Sequence, residues 1–219
     1  MKYLNSILLF LCAFCNAQNG IEYKGEIINA LDENGKQTGV WKLYDDKNNI
    51  MITTEFKNGE IISDTKYYKD SNLIAAYKGD DLIEIYKDKK TITGYFYRKT
   101  DGGQTIVNKR GKELDTETLR FFYLSSLVMP MYYGGNTLLY EFIRKNIDYS
   151  SIKNNTGTVK VKFTIDIQGN TTDIEIIEST NPELNEEAKR LVKILPRWQP
   201  GHQAGAFVKC QYSIPITIN

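Results

Sequence analysis

Two residues near the C-terminus carry side chains that could act together in catalysis. His202 is the single histidine of the chain, and Cys210 follows it closely. A cysteine beside a general base can serve as a nucleophile. Residues 208–214, however, alternate between apolar and polar types, which predicts a strand that turns the Cys210 thiol towards the core. A packing role is therefore favoured, with a reactive thiol as the alternative.

Other residues that could do chemistry are scattered. The acidic pairs Asp80-Asp81 and Glu186-Glu187 fall at a predicted turn and a predicted helix start, where solvated carboxylates are ordinary. A metal site needs several ligands placed close together, and the chain has one histidine and three cysteines without such a cluster. We therefore expect a protein that is not an enzyme, with no catalytic residue, no metal site and no cofactor.

Composition narrows the class of protein further. The charge is balanced, with 28 Lys and Arg against 27 Asp and Glu. A balanced chain lacks the field that attracts nucleic acid, so nucleic-acid binding is not expected. The contents of 41% hydrophobic and 12% aromatic residues indicate folded structure.

The first residues have the layout of an export signal. Lys2 precedes an apolar run at residues 7–14, and Ala17 provides a small residue for cleavage. The run is shorter than the ~20 apolar residues of a membrane-spanning helix. We expect residues 1–17 to be a signal peptide and the protein to be exported to the periplasm or cell envelope. The alternative is an uncleaved signal that retains the protein at the inner membrane.

Residues 18–113 have the pattern of an all-β domain of successive hairpins. Short runs of β-branched and aromatic residues are separated by turn signals such as Asn34-Gly35 and Asn58-Gly59. Residues 35–44 and 55–59 resemble bacterial MORN-like repeats, and this resemblance implies a twisted antiparallel sheet. Five aromatic residues either stack on a sugar or peptide or, as is favoured, pack across strands: Trp41, Tyr44, Phe56, Tyr67 and Tyr86.

Two later segments have the apolar spacing of helices. In the first, a junction at residues 114–133, we expect the helix to end near Val128, because Pro130 disfavours its continuation. The other segment, residues 138–147, is expected to form the first helix of the C-terminal block, with Asn136 or Thr137 as its N-cap.

The remaining elements follow from periodicity and turn residues. Residues 158–167 alternate strictly, which predicts a half-buried strand, and the turn at Gly169 leads to a partner strand at 172–177. Ile177 breaks the alternation and indicates a bulge. Asn181-Pro182 has the cap and first-turn proline of a second helix, and a last strand is expected over residues 207–218.

In this order of elements, residues 134–219 resemble the C-terminal domain of the TonB family, the energy-transducing proteins that reach across the bacterial periplasm. The resemblance is carried by Gly134-Gly135, residues 157–165, Asn181-Pro182-Glu183-Leu184, Arg197-Trp198-Gln199-Pro200-Gly201 and Ile214-Pro215-Ile216. It implies an α+β fold with two helices on a small antiparallel sheet.

The resemblance also implies a non-enzymatic function. The family binds a short extended peptide from the N-terminal region of an outer-membrane TonB-dependent transporter, by adding it as a strand to the sheet. Trp198 is either a wall of that site or a pin that holds the helix–strand corner in the core. The alternative function is a structural envelope protein that forms a homodimer through the same edge strand. The candidate peptide-binding residues are Tyr149, Arg197, Trp198, Pro200, Phe207, Lys209, Gln211 and Ser213.

Two features depart from the family pattern. Tyr149-Ser150 stands where the family has Tyr-Pro, and the chain has five prolines without the long proline-rich spacer of energy-coupling members. The resemblance therefore carries over the binding domain and not the energy-transducing role.

Overall fold

The computed structural model of the chain describes residues 19–47, 49–78, 82–87, 90–100, 103–108, 110, 112–113, 127–153, 155–203 and 205–219. The predicted signal peptide, the Asp80-Asp81 turn and the predicted helix after residue 114 lie outside these ranges.

An antiparallel sheet occupies the N-terminal half. Its strand order is β11-β10-β9-β8-β7-β5-β4-β3, with β6 paired to β5, while β1 and β2 form a separate ribbon. Consecutive strands are therefore mostly neighbours, as in an up-and-down meander. The strands are β1 (Ile21–Tyr23), β2 (Glu26–Ile28), β3 (Ala30–Leu31), β4 (Gln37–Tyr44), β5 (Ile50–Lys57), β6 (Glu60–Ile61), β7 (Thr65–Lys69), β8 (Asn72–Tyr77), β9 (Leu82–Lys87), β10 (Lys90–Thr100) and β11 (Gly103–Asn108).

Tight turns with positive φ angles produce these hairpins. Asn58 and Gly59 have φ angles of 55° and 84° between β5 and β6, which matches the two-residue hairpin turn that Asn-Gly favours. Lys24 and Gly25 make a similar turn between β1 and β2, with φ angles of 54° and 77°. The predicted antiparallel strands of the N-terminal half are confirmed, and the resemblance to MORN-like repeats stays a prediction.

The aromatic residues of the N-terminal sheet form its core. Trp41, Tyr44, Phe56 and Tyr67 are all buried, and the rings of Trp41 and Phe56 meet edge to face at 5.5 Å. Packing is therefore the role of these four side chains, as the favoured alternative expected.

The C-terminal block combines two helices with a three-stranded antiparallel sheet of order β13-β12-β16. This arrangement confirms the expected α+β fold class. The elements are α1 (Gly135–Lys145), β12 (Gly157–Ile165), β13 (Thr171–Ser179), a 3-10 turn (Pro182–Leu184), α2 (Asn185–Lys193), β14 (Gly201–Gln203), β15 (Ala206–Val208) and β16 (Cys210–Ile218).

The buried face of this sheet follows the predicted alternation. Side chains of β12 and β16 form one core with apolar residues of both helices. The fully or nearly fully buried members from the strands, the 3-10 turn and α2 are Val159, Val161, Phe163, Ile165, Leu184, Ala188, Leu191, Val192, Ile214, Ile216 and Ile218.

Local details agree with the sequence at some points and correct it at others. Asn181 caps the 3-10 turn by accepting a hydrogen bond from the Glu183 N–H, and the register of β12 with β13 skips Ile177, so the bulge is confirmed. Helix α1 instead begins at Gly135, after Gly134 in a left-handed conformation without a side-chain cap. The expected caps Asn136 and Thr137 were therefore wrong.

The expected last strand is divided in two. Residues 206–208 belong to β15 and pair with β14, whereas β16 starts at Cys210 and pairs with β12. The division arises because the β14–β15 hairpin packs onto the N-terminal sheet, where Phe207 lies 5.5 Å from the rings of both Trp41 and Phe56.

A buried glutamine joins the two halves of the protein. The Gln199 side chain is 0% exposed, its Nε2 donates to the Tyr44 carbonyl at 2.8 Å, and its Oε1 accepts from the Tyr44 N–H at 2.7 Å. Its backbone pairs with Met131 in both directions, with N–O distances of 2.8 and 3.1 Å. Gln199 thereby satisfies backbone groups of β4 and of the segment before α1.

Next to this glutamine, Trp198 packs against the β12–β13 turn. The backbone N–H of Trp198 donates to the Gly169 carbonyl at 2.8 Å. Gly169 has a φ angle of 90°, and a Cβ at this position would overlap the backbone carbonyl of Trp198. Only glycine satisfies both conditions.

We predict that Gly169→Ala destabilises the fold more than Gly205→Ala does. Gly205 has the same φ angle of 90°, but the nearest atom to its Cβ would be 3.8 Å away, so its substitution tests the backbone cost alone. We expect ~1 kcal/mol for Gly205→Ala and a further ~1–3 kcal/mol for the overlap at Gly169. Urea unfolding of the two variants measures the difference, and equal losses would contradict the close packing of Trp198 on the turn.

We also predict that Gln199→Leu weakens the contact between the two halves. Leucine fills similar space but leaves the Tyr44 N–H and carbonyl without partners, at a cost of ~1–3 kcal/mol for each unsatisfied buried group. The exposed Gln203 provides the control, since Gln203→Leu should change the free energy of unfolding little. An unchanged urea midpoint for Gln199→Leu would show that this pair does not stabilise the contact.

Candidate functional site

Strand β16 forms an edge of the C-terminal sheet. Within the described residues its one strand neighbour is β12, and the register between the two runs without a break from Gly157↔Ile218 to Ile165↔Cys210. The opposite side of β16 therefore presents backbone groups that a further strand could pair with.

Pro215 indicates which backbone groups point outward. Proline has no N–H, and in a sheet it is placed where that group would face the open edge. Pro215 lies opposite Lys160 in the register, so we infer that this is a pair without mutual hydrogen bonds. Because successive residues alternate, Gln211, Ser213 and Thr217 share this orientation. Their N–H groups are the donors that the edge offers.

The two faces of β16 differ in polarity. Ile214, Ile216 and Ile218 are buried in the core, whereas Gln211 and Ser213 are exposed. An added strand would therefore have one apolar and one polar neighbouring face.

The other edge of this sheet is irregular. Strand β13 departs from regular pairing near Ile177 and again near Asp173, whose φ angle is 50°. Bulges of this kind protect an edge against pairing with other chains. Of the two edges, β16 is the one suited to accept a strand.

A groove runs along part of the β16 edge. Its volume is about 350 Å³, and it is lined by three residues of α1 and three of β16: Tyr140, Ile143, Arg144, Pro215, Ile216 and Thr217. Ile143 and Ile216 are buried, while the side chain of Tyr140 is 41% exposed. Helix α1 thus forms a wall beside the open edge. The sequence could not identify this wall, because no local pattern reports that α1 lies along β16.

The eight candidate peptide-binding residues lie in three places. Lys209 is exposed directly before β16, Gln211 and Ser213 are exposed in the first half of that strand, and Tyr149 is exposed in the turn after α1. The other four lie at the corner between the two halves: Arg197, Trp198, Pro200 and Phe207.

The corner residues have packing partners within the protein. Arg197 donates to the backbone carbonyls of Asn19 and Gln168, and burial lowers the pKa of its guanidinium. Phe207 packs on Trp41. The peptide-binding role of this group stays a prediction, and the geometry gives Arg197 and Phe207 a part in joining the two halves.

Trp198 occupies the centre of the C-terminal core. It is 2% exposed, and its ring contacts those of Tyr132, Phe163 and Tyr212 at 5.4, 5.7 and 5.1 Å. This position agrees with the alternative in which Trp198 holds the helix–strand corner in the core.

The histidine and cysteine considered for catalysis lie in packed surroundings. His202 is buried between Phe207 and Tyr67, with ring centroids 5.2 and 5.8 Å away. Cys210 is partly buried, and burial raises the pKa of its thiol, whereas a nucleophilic cysteine needs a lowered pKa. Within the ranges that the structure describes, no group of His, Cys, Asp and Glu side chains could hold a metal ion.

Glu187 differs from the expected solvated carboxylate. Its buried side chain accepts hydrogen bonds from Arg190, at 2.7 and 2.8 Å, and from the Asp148 N–H at 2.7 Å. The hydrogen bonds between Arg190 and the Glu187 carboxylate raise the pKa of Arg190. Glu187 thereby ties α2 to the segment after α1, which accounts for its burial by a structural role.

The fold and the edge define a structural class, a small α+β domain with one regular open edge strand. In agreement with this class, residues 148–218 match the family model of the Gram-negative bacterial TonB protein C-terminal. The match covers about a third of the chain and lies within the block that resembles this domain. No curated protein and no solved structure matches the chain. Among the described helices, none is long and apolar enough to span a membrane.

We predict slow alkylation of Cys210 in the folded protein. Because burial raises its thiol pKa, the reactive thiolate is scarcer near pH 8 than in a free cysteine of pKa ≈ 8.5. Peptide mass spectrometry after treatment with iodoacetamide should show much faster modification at residue 210 in urea than in buffer. Equal rates in the two conditions would instead support the reactive-thiol alternative.

Proposed function

We propose that this chain is a non-enzymatic interaction protein of the periplasm. Its C-terminal block binds an extended peptide by adding it as a further strand to the edge of β16. The partner is the N-terminal peptide of an outer-membrane TonB-dependent transporter.

The observation that carries the proposal is the regular edge of β16, which has no described strand on its outer side. Strand addition needs outward N–H and carbonyl groups over several residues, and β16 is regularly paired to β12 along its length. Backbone hydrogen bonds would provide affinity, and side chains on the two faces would provide specificity. The exposed Gln211 and Ser213 are the side chains of the polar face.

The proposed partner comes from the family match. Residues 148–218 are similar to the C-terminal domain of TonB, a family that acts with outer-membrane transporters from the periplasm. This similarity supports a link to TonB-dependent transport. It carries no argument for energy coupling by this chain.

Pro215 bears on the second function, a homodimer through the same edge. In an antiparallel pair of β16 strands centred on Ser213, Gln211 of one copy would face Pro215 of the other. Each proline would withhold one hydrogen bond from the pair. Pro215 therefore disfavours this self-pairing, whereas a peptide can pair with the part of β16 before Pro215 and leave the proline unpaired.

We predict that Ser213→Pro weakens peptide binding and leaves the fold intact. The substitution removes the outward N–H of Ser213. This residue has the same orientation as Pro215, which lies two residues later in the strand. We expect the dissociation constant of a transporter N-terminal peptide to rise at least about tenfold. Calorimetric titration of the full chain with the peptide measures this change.

The control is Ser213→Ala, which keeps the N–H and should bind within about threefold of the unchanged protein. Circular dichroism and urea unfolding establish that each variant is folded. Undiminished binding by folded Ser213→Pro would reject strand addition at β16. A dimer mass in sedimentation that Ser213→Pro converts to monomer would favour the homodimer instead.

A further inference from the structure

We propose that a groove between β5 and the segment before α1 binds one soft metal ion, Cu(I), through the sulfur atoms of Met51, Met129 and Met131. None of these residues belongs to β16, so the inference goes beyond strand addition and does not depend on it. The expected absence of a metal site was based on histidine and cysteine, and thioethers are a different class of ligand.

The first observation is that the fold gathers the methionines of the chain. The chain has four methionines, and all except Met1 line this one groove, which has a volume of about 370 Å³. Met129 and Met131 are close in sequence, whereas Met51 comes from a distant strand. The sulfur of methionine is a soft, polarizable ligand, and such ligands favour Cu(I).

The second observation is the exposure of these side chains. Met51 packs against the apolar core of the N-terminal sheet, but Met129 is 63% exposed and Met131 is half-buried. Filling gaps in a core, the common role of methionine, therefore accounts for Met51 and not for Met129. Methionine is unbranched and has three rotatable bonds, so the three sulfur atoms can turn towards one ion.

The third observation is that a bulge carries Met51. Strands β4 and β5 shift register between Leu43 and Tyr44, and Met51 is left out of the pairing. A bulge redirects a side chain and is frequent beside functional sites. Met51 thereby lines the groove although its neighbour Ile52 is buried in the core.

The other two methionines are held by backbone pairing with the corner. Val128 exchanges two hydrogen bonds with His202, at 2.8 and 2.9 Å, and Met131 exchanges two with Gln199, at 2.8 and 3.1 Å. Met129 lies between these two pairs. A binding site is more precise when its ligands stand on such fixed elements.

The remaining lining residues disfavour other metal ions. Among the described residues that line the groove there is no histidine or cysteine, the ligands that Zn²⁺ prefers. The charged lining residues are Asp45 and Asp46. The Asp45 carboxylate accepts hydrogen bonds from Lys47 and Asn49 within its own turn, and one further carboxylate is too few for Ca²⁺. Both negative charges raise the local concentration of cations.

The test uses the full chain with Cys12, Cys15 and Cys210 replaced by alanine, because a thiolate would compete for the same ion. Ag(I) is the probe for NMR, as a soft monovalent ion that air does not oxidise. We expect the methyl signals of Met51, Met129 and Met131 to shift together and to saturate at one Ag(I) per chain. Competition with the Cu(I) chelator bicinchoninate, under ascorbate, measures the affinity for Cu(I).

Met129→Leu and Met131→Leu each remove a sulfur atom and keep an apolar side chain of similar size. Each should raise the dissociation constant for Cu(I) at least about tenfold, a loss that even an outer-shell partner of a metal causes. The matched control is Leu127→Ala, which truncates an exposed apolar side chain of the same groove and keeps all three sulfur atoms. This control should bind within about threefold of the parent chain.

The inference is wrong if Ag(I) leaves the three methyl signals unshifted, or if folded Met129→Leu binds Cu(I) as tightly as its parent. It is also wrong if Leu127→Ala loses as much affinity as Met129→Leu, or if Zn²⁺ displaces Cu(I). Circular dichroism establishes that each variant is folded. Strand addition is tested separately by Ser213→Pro, so either proposal can fail while the other stands.

Discussion

The bidentate contact between the Gln199 side chain and the Tyr44 backbone is the interaction on which the arrangement of the two halves depends. Residues 198 and 199 are adjacent in an extended segment, so their side chains point in opposite directions. Trp198 enters the C-terminal core and Gln199 reaches the N-terminal sheet. One short segment therefore belongs to both packing units, and a shift of either unit would break contacts in the other.

The same constraint determines where the open edge begins. After the corner, the β14–β15 hairpin places His202 and Phe207 against the N-terminal sheet. The chain then returns to the C-terminal sheet, and β16 starts at Cys210. Lys209 stands between the two strands and is exposed. Charged residues and prolines are the usual means by which a sheet edge avoids unspecific pairing, and this edge has Lys209 at one end and Pro215 towards the other. It remains open to a strand in a suitable register.

Local signals in the sequence predicted the parts of the fold that depend on neighbours in the chain. The alternation of β12, the bulge at Ile177 and the cap at Asn181 each follow from a few adjacent residues. The cap of α1 was missed because Gly134 begins the helix through its backbone conformation and not through a side chain. The division of the last strand was missed for a different reason. Phe207 continues the strand pattern, and only its distant partners Trp41 and Phe56 show that it belongs to a separate hairpin.

These long-range contacts also bear on the role of the N-terminal sheet. Without that sheet, Phe207 and His202 would lose their aromatic neighbours, and the Gln199 amide would lose its buried partners. Exposure of apolar side chains and unsatisfied polar groups is unfavourable, so the C-terminal block needs the sheet as a support. The sheet covers the corner, and the bulges of β13 protect the second edge. The edge of β16 beside α1 is neither covered by the N-terminal sheet nor interrupted by bulges.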